Sequence, residues 1–81
     1  MMTSCSLAVA AHLSGLSLSR ARHLVRSGLV EPAAVEKGHP LFGPMELARF
    51  RKIRRLTDDL GVNLAGVEVI LRLTEGQPSQ R

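Results

Sequence analysis

The chain is short and basic: its 81 residues include 11 lysines and arginines against 7 aspartates and glutamates, a formal net charge of +4. A chain of this length forms one small domain with a modest core and marginal stability. Hydrophobic residues make up 44% of it, which is typical of a packed globule rather than of a disordered segment. Phe42 and Phe50 are the only aromatic residues, so the chain lacks the stacking platforms that bind single-stranded nucleic acids. The positive charge favours a polyanionic partner, with nucleic acid ahead of a membrane surface.

Several classes of function are excluded by what the sequence lacks. Cys5 is the single cysteine, so it forms no internal disulfide and makes a poor metal site. His12, His23 and His39 are scattered, and the chain has no glycine-rich phosphate loop. We therefore expect no catalytic residues, no metal and no cofactor. No apolar run approaches the roughly 20 residues of a membrane span and no secretion signal opens the chain, which predicts a cytoplasmic protein without a membrane partner.

The first half of the chain has the pattern of two short helices joined by a tight turn. Ser6 can cap a helix over residues 7–13, and Gly15 should break it, since glycine adopts backbone angles that other residues avoid. Ser17 can cap the second helix, which Gly28 would end. The second helix is expected to turn four apolar residues inward, at spacings of three and four: Leu18, Ala21, Leu24 and Val25.

The remaining directions of the second helix are polar and basic. They carry Ser19, Arg20, Arg22, His23 and Arg26. Amides at a helix N-terminus favour phosphate, and the arginine fork matches the guanine edge in the major groove. Two helices joined in this way are typical of a helix-turn-helix unit, whose second helix usually carries recognition. The sequence leaves open the alternative that this basic face is only solvated.

The segment between the second and third helices predicts a minimal two-stranded wing. Two β-prone pairs, 29–30 and 41–42, flank a loop that contains two prolines. Proline lacks the N–H that a ladder needs, so both strands should be short. We expect Lys37 and His39 near the tip of this hairpin.

The second half predicts two further helices. Proline and glutamate at the start of the segment 44–60 fit the first turn of a helix, and Gly61 should end it. Asn63 can cap a fourth helix over 64–74. The apolar series expected to face the core from the third helix is Leu47, Phe50, Ile53, Leu56 and Leu60.

Together these elements predict a mostly all-α fold, with four helices and a minimal wing of two strands. We expect one domain over residues 6–74. Residues 1–5 are predicted to be a disordered lead-in, and residues 75–81 a disordered tail.

Several stretches of the chain together match a known pattern. They are AAHLSGLS at 10–17, Arg22, GLVEP at 28–32, MELAR at 45–49, IRRL at 53–56 and DLGVNLAGV at 59–67. Through them the chain resembles the MerR-type winged helix-turn-helix superfamily over about residues 7–73. The last stretch resembles two subgroups in particular, the HspR-like heat-shock repressors and the CbpM-like chaperone modulators.

The resemblance implies which side chains touch DNA. The implied DNA-binding residues are Ser17, Ser19, Arg20, Arg22, His23, Arg26, Lys37 and His39. In MerR-type domains the second helix lies in the major groove, so its two serines, Arg20 and His23 would reach bases. Arg22 matches the recurrent helix arginine of the family, which would contact phosphate or brace the wing. Arg26 would add a backbone contact, and the last two residues belong to the wing.

The first functional hypothesis is a DNA-binding transcriptional regulator, which the resemblance links to chaperone or heat-shock genes. One small module makes few phosphate contacts with double-stranded DNA, and specific sites usually need two modules about one helical turn apart. We therefore expect a homodimer through another surface, cooperative binding or a partner protein. The sequence after residue 74 holds neither a long coiled-coil helix nor an effector domain, so we expect neither metal sensing nor drug binding.

The second hypothesis is a small non-enzymatic adaptor that binds and regulates a DnaJ-like co-chaperone. The CbpM-like resemblance favours it, and so does a wing sequence, 38–42, that lacks the arginines usual in MerR-type domains. The third helix favours DNA instead, because it is basic and the J-domain of such co-chaperones presents a basic face in known relatives. The basic residues on its polar side are Arg49, Arg51, Lys52, Arg54 and Arg55. The two hypotheses differ in salt dependence, which is steep for DNA since bound counterions are released.

Overall fold

Residues 4–75 form four α-helices, one short π-helical segment and one hairpin. In chain order they are α1 (Leu7–Ser14), α2 (Leu18–Arg26), β1 (Ala34–Glu36), β2 (His39–Leu41), α3 (Pro44–Arg54), a π-helical segment (Arg55–Asp59) and α4 (Leu64–Thr74). The computed structural model describes residues 4–75, and the predictions for residues 1–3 and 76–81 lie outside this range. The predicted mostly α-helical fold with a two-stranded wing is confirmed. Among residues 4–75, no helix has the length and apolar character that a membrane crossing requires.

The core consists of aliphatic side chains from all four helices around two phenylalanines. The rings of Phe42 and Phe50 are fully buried, and their centroids lie 5.6 Å apart at an interplanar angle of 51°. The other buried core residues are Ala10, Ala11, Leu16, Ala21, Leu24, Val30, Ile53, Val67 and Leu71. Because three of them are alanines of α1 and α2, the first two helices can approach their neighbours closely.

Three helices begin at the residues that the sequence predicts as caps. The side-chain oxygens of Ser6, Ser17 and Asn63 accept the backbone N–H three residues further on, at 3.3, 3.1 and 2.8 Å. The third helix starts differently, with the carboxylate of Glu46 accepting the N–H of Gly43 at 2.9 Å. Each cap satisfies a backbone donor that the first turn of a helix would leave without a partner.

The turn between α1 and α2 depends on Gly15. Its φ of 76° lies in the left-handed region, and the N–H of Leu16 returns to the carbonyl of Ala11 at 2.9 Å. A Cβ at position 15 would lie 2.9 Å from Nε of Arg54. Gly15 is therefore packed closely against a side chain of α3. Leu16 is buried directly after the turn and belongs to the hydrophobic core.

The two strands of the wing lie nearer to the hairpin turn than the predicted pairs at 29–30 and 41–42. The strands β1 and β2 pair antiparallel, with Ala34 opposite Leu41 and Glu36 opposite His39. Lys37 and Gly38 have φ values of 51° and 81°, and two successive positive angles are those of a type I′ hairpin turn. This turn fixes the register, so that the second strand begins at residue 39 rather than 41.

The predicted strand at 29–30 is wrong. Val30 is fully buried in the core, and its N–H bonds back to the carbonyl of Leu24 at 3.3 Å, which closes the end of α2. The β-branched side chain of Val30 therefore packs in the core, and its backbone N–H bonds to the end of α2 rather than to a second strand. The expectation that proline keeps the strands short is confirmed, since each strand has three residues.

The third helix is also shorter than predicted, and one of its apolar residues faces solvent. α3 ends at Arg54, and the π-helical segment that follows closes with the N–H of Leu60 bonded to the carbonyl of Arg55 at 3.2 Å. A turn with this wider spacing rotates the next side chain away from the helical series. Leu60 is therefore 68% exposed, and its predicted place in the core is wrong.

Two residues that the sequence assigns to the tails, Cys5 and Glu75, contact distant parts of the chain. Cys5 exchanges two backbone hydrogen bonds with Phe42, at 2.9 and 2.8 Å, and thereby extends the wing on its other side. Glu75 caps the end of α4 and forms an ion pair with Arg49. Both residues have partners that are distant in sequence, which is why local patterns assign them to the tails.

Candidate nucleic-acid interface

The second helix of the helix-turn-helix presents a polar face to solvent. Ala21 and Leu24 are buried, whereas Ser19, Arg22 and Arg26 are exposed on the opposite side. With 3.6 residues per turn, positions 19, 22 and 26 form one outward stripe about half a turn away from the buried pair. The predicted amphipathic character of this helix is therefore present in the structure.

Leu18 does not lie where the sequence predicts. It stands at the first position of α2 and is 40% exposed instead of facing the core. Leu16, two residues earlier, is the buried leucine at this end of the core. The side chain of Leu18 instead lines a groove between α2 and the wing.

This groove brings three predicted DNA-binding residues together. Its volume is about 450 Å³, and it is lined by Ser6, Leu7, Ala8, Leu18, Arg22, Val25, Arg26, His39 and Pro40. Arg22 and Arg26 form its α2 wall, and His39 comes from the start of β2. Lys37 lies beyond the groove, exposed in the hairpin turn. An anion bound along the outward stripe would therefore meet positive charge from both the helix and the wing.

Arg20 lies on the other flank of α2 and is already engaged. Its Nη1 lies 3.1 Å from Oδ1 of Asp58, and its Nη2 donates to Oγ1 of Thr57 at 2.7 Å. A second groove runs along this flank, lined by Ser19, Arg20, His23, Leu24, Thr57, Val62, Asn63 and Leu64. The predicted DNA-binding residues of α2 therefore lie on two flanks of the helix, with Arg22 and Arg26 on one and Arg20 and His23 on the other. Ser19 lies between the two flanks.

Ser17 has a structural role that is separate from any contact with DNA. Its Oγ accepts the N–H of Arg20 and so caps α2. Replacing Ser17 by alanine should lower the free energy of unfolding by about 1 kcal/mol. Aspartate caps a helix as well as serine does, so Ser17→Asp should keep this stability. It would also place a negative charge at the N-terminus of α2, where the sequence predicts contact with DNA.

The two variants therefore separate capping from DNA contact. Urea denaturation followed by circular dichroism measures the first effect, and titration with labelled duplex DNA measures the second. We expect Ser17→Asp to unfold like the wild-type protein and to bind DNA more weakly. Equal DNA affinity of the wild-type and Ser17→Asp proteins would show that position 17 lies away from the phosphates.

Two kinds of neighbour of the predicted site residues leave no signal in the local sequence. Thr57 and Asp58 touch Arg20 from 37 and 38 residues away, and no local pattern reports such a contact. Helical spacing places Arg49 on the polar side of α3, but it is half buried: its Nε donates to the carbonyl of Leu29 and its Nη1 pairs with Glu75. Arg49 therefore ties the exit of α2 to the end of α4. Within residues 4–75, no group of three or more His, Cys, Asp or Glu side chains could hold a metal ion.

A helix-turn-helix followed by a hairpin beside its exposed second helix defines a winged helix-turn-helix domain, a class that recognises DNA through that helix. Residues 6–76 match the model of the MerR HTH family regulatory proteins, and the chain therefore belongs to the MerR family. It is also 34% identical over 67 residues to a protein of Streptomyces coelicolor named "Putative heat shock protein HspR". The match covers 83% of this chain but 44% of that relative, so the chain spans less than half of the relative's length.

Proposed function

We propose that this chain binds double-stranded DNA and regulates transcription, with α2 in the major groove and the hairpin beside it. One observation carries this proposal: Arg22 and Arg26 are exposed along the groove next to the wing, and neither has an ion-pair partner among residues 4–75. Two guanidinium groups without carboxylate partners in a domain of net charge +4 form a site for a polyanion.

The geometry also suggests how the contacts would be shared. Ser19 and Arg22 lie in the first turns of α2, the part of a recognition helix that reaches base edges. Arg26 lies further along the same stripe, where it would meet the phosphate backbone. His39 and Lys37 of the wing would flank the adjacent backbone, and His23 would extend the contact on the other flank. Such backbone contacts fix the register of the helix in the groove without reading sequence.

The relative suggests which genes are controlled. Its name describes a heat shock protein, and it is 34% identical to this chain over 67 residues, which make up 83% of the chain. We therefore propose that the target genes encode chaperones or other heat-shock proteins. A regulator of this type would act in the cytoplasm, without catalysis or cofactor.

A second candidate function is an adaptor that binds a DnaJ-like co-chaperone. The observation in its favour is an apolar stripe on α4, where Val69 and Leu73 are 54% and 76% exposed. These residues are four apart and therefore share one side of the helix. The same stripe is also a candidate surface for a homodimer, which would give the regulator the second DNA-binding module that specific sites usually need.

Salt dependence separates the two functions. If Arg26 and Lys37 each neutralise one phosphate, the logarithm of the DNA-binding constant should fall with the logarithm of salt concentration with a slope of about −1.8. Binding through an apolar stripe should change little over the same range, because salt screens charges rather than apolar contacts. The measurement is fluorescence anisotropy with labelled duplex DNA, beside co-elution with a purified DnaJ-like protein. A salt-independent complex with the co-chaperone, and no DNA binding at low salt, would reverse our assignment.

A further inference from the structure

Arg20 is held by groups that come from the junction between α3 and α4. Asp58 approaches Nη1 at 3.1 Å, and the Thr57 hydroxyl accepts a hydrogen bond from Nη2 at 2.7 Å. Within residues 4–75, Arg20 is the one arginine of α2 that forms an ion pair. Its guanidinium therefore differs from those of Arg22 and Arg26, which have no carboxylate beside them in that part of the chain.

The π-helical segment positions this anion against α2. Oγ1 of Thr57 donates to the carbonyl of Ile53 at 3.1 Å, so the hydroxyl can accept from Arg20 at the same time. Asp58 also lies 3.9 Å from Nε of Arg54, so that its carboxylate stands between arginines of α2 and α3. π-helical turns are rare and occur frequently at functional sites. Here the turn places a carboxylate beside a recognition helix.

We propose that Asp58 is a built-in competitor of DNA, which holds Arg20 away from the phosphate backbone so that the wild-type protein forgoes one phosphate contact. This inference rests on the proposed DNA-binding function. The side chains of Arg20 and Asp58 are 43% and 39% exposed, so the ion pair is screened by solvent and contributes little to stability. Its removal should therefore leave the fold intact and release one arginine on the flank of α2.

The competition gives Asp58 a role in setting the overall affinity for DNA. Phosphate contacts strengthen binding to every DNA sequence and carry no sequence information of their own. A domain that forgoes one such contact therefore binds specific and non-specific DNA less tightly by about the same factor. Asp58 thus limits the affinity for DNA, while the base contacts through Ser19 and Arg22, which set the ratio between specific and non-specific binding, are kept.

The test uses Asp58→Asn in the 81-residue chain, a change that preserves shape and removes the charge. We expect the Kd for mixed-sequence duplex DNA at low salt to fall about two- to fivefold, since that is the range over which exposed ion pairs act. The salt slope should become steeper by about 0.9, the value for one additional neutralised phosphate. A role confined to folding would not change this slope. Thermal unfolding of each variant checks that the fold is intact.

Two further variants make the experiment specific. Glu68→Gln removes one carboxylate from an exposed ion pair with Arg72 on α4, so it matches the charge change away from α2. In an Arg20→Ala background, adding Asp58→Asn should change the Kd no more than Glu68→Gln does, because the arginine to be released is absent. An equal gain from Asp58→Asn with and without Arg20, or a loss of affinity, would overturn the role of Asp58 while DNA binding stands. Failure of the wild-type protein to bind duplex DNA would overturn both proposals.

Discussion

Replacing Arg22 and Arg26 together by alanine should lower the affinity for duplex DNA about a hundredfold at low salt. A hydrogen bond to a charged group contributes about 1.5 kcal/mol or more, which corresponds to roughly tenfold in affinity for each arginine. Both side chains are exposed along the groove between α2 and the wing, so their removal opens no cavity in the core. Because Arg26 is the phosphate contact of this pair, the salt slope should also become shallower by about 0.9.

Arg72→Ala is the matched control for this experiment. It removes an exposed arginine from α4, on an element that we do not place in the DNA interface. Fluorescence anisotropy at two salt concentrations should show a small change for Arg72→Ala and a large one for Arg22→Ala/Arg26→Ala. A similar loss in both proteins would mean that only net charge matters, and the recognition role of α2 would then be wrong.

The parts of the fold that could be predicted are those determined by short-range chemistry. The caps at Ser6, Ser17 and Asn63 were predictable because each side chain bonds to a backbone N–H three residues away. The break at Gly15 was predictable because its positive φ favours glycine. The polar stripe of α2 follows from spacing alone, and for this reason the sequence identifies Arg22 and Arg26 as exposed side chains.

The features that could not be predicted depend on contacts between distant parts of the chain. The sequence assigns Arg20 to the same face as Arg22, but the structure pairs it with Asp58, which lies 38 residues further along. The π-helical segment that brings Asp58 there interrupts the apolar series of α3 and exposes Leu60. The wing register depends on two successive positive φ angles, and one of them belongs to Lys37, a residue type that carries no turn signal.

Phe50→Ala should destabilise the protein severely, with a loss of about 3–5 kcal/mol in the free energy of unfolding. The Phe50 ring is fully buried on α3 and packs against Phe42, which joins the wing to the core. A small domain of this size has a total stability of roughly 4–12 kcal/mol, at about 0.05–0.15 kcal/mol per residue. Removing one ring should therefore remove a large part of that stability. It should also weaken the packing that orients the outward stripe of α2.

Met45→Ala is the control on the same helix, because Met45 is 78% exposed and its replacement should change stability by no more than about 0.5 kcal/mol. Urea denaturation followed by circular dichroism measures both variants, and Phe50→Leu offers a milder change should Phe50→Ala be unfolded from the start. Leucine retains much of the buried volume, so this variant should lie between alanine and the wild-type protein. A loss below about 1 kcal/mol in Phe50→Ala would mean that the contact between the two rings does not hold the wing and α3 together.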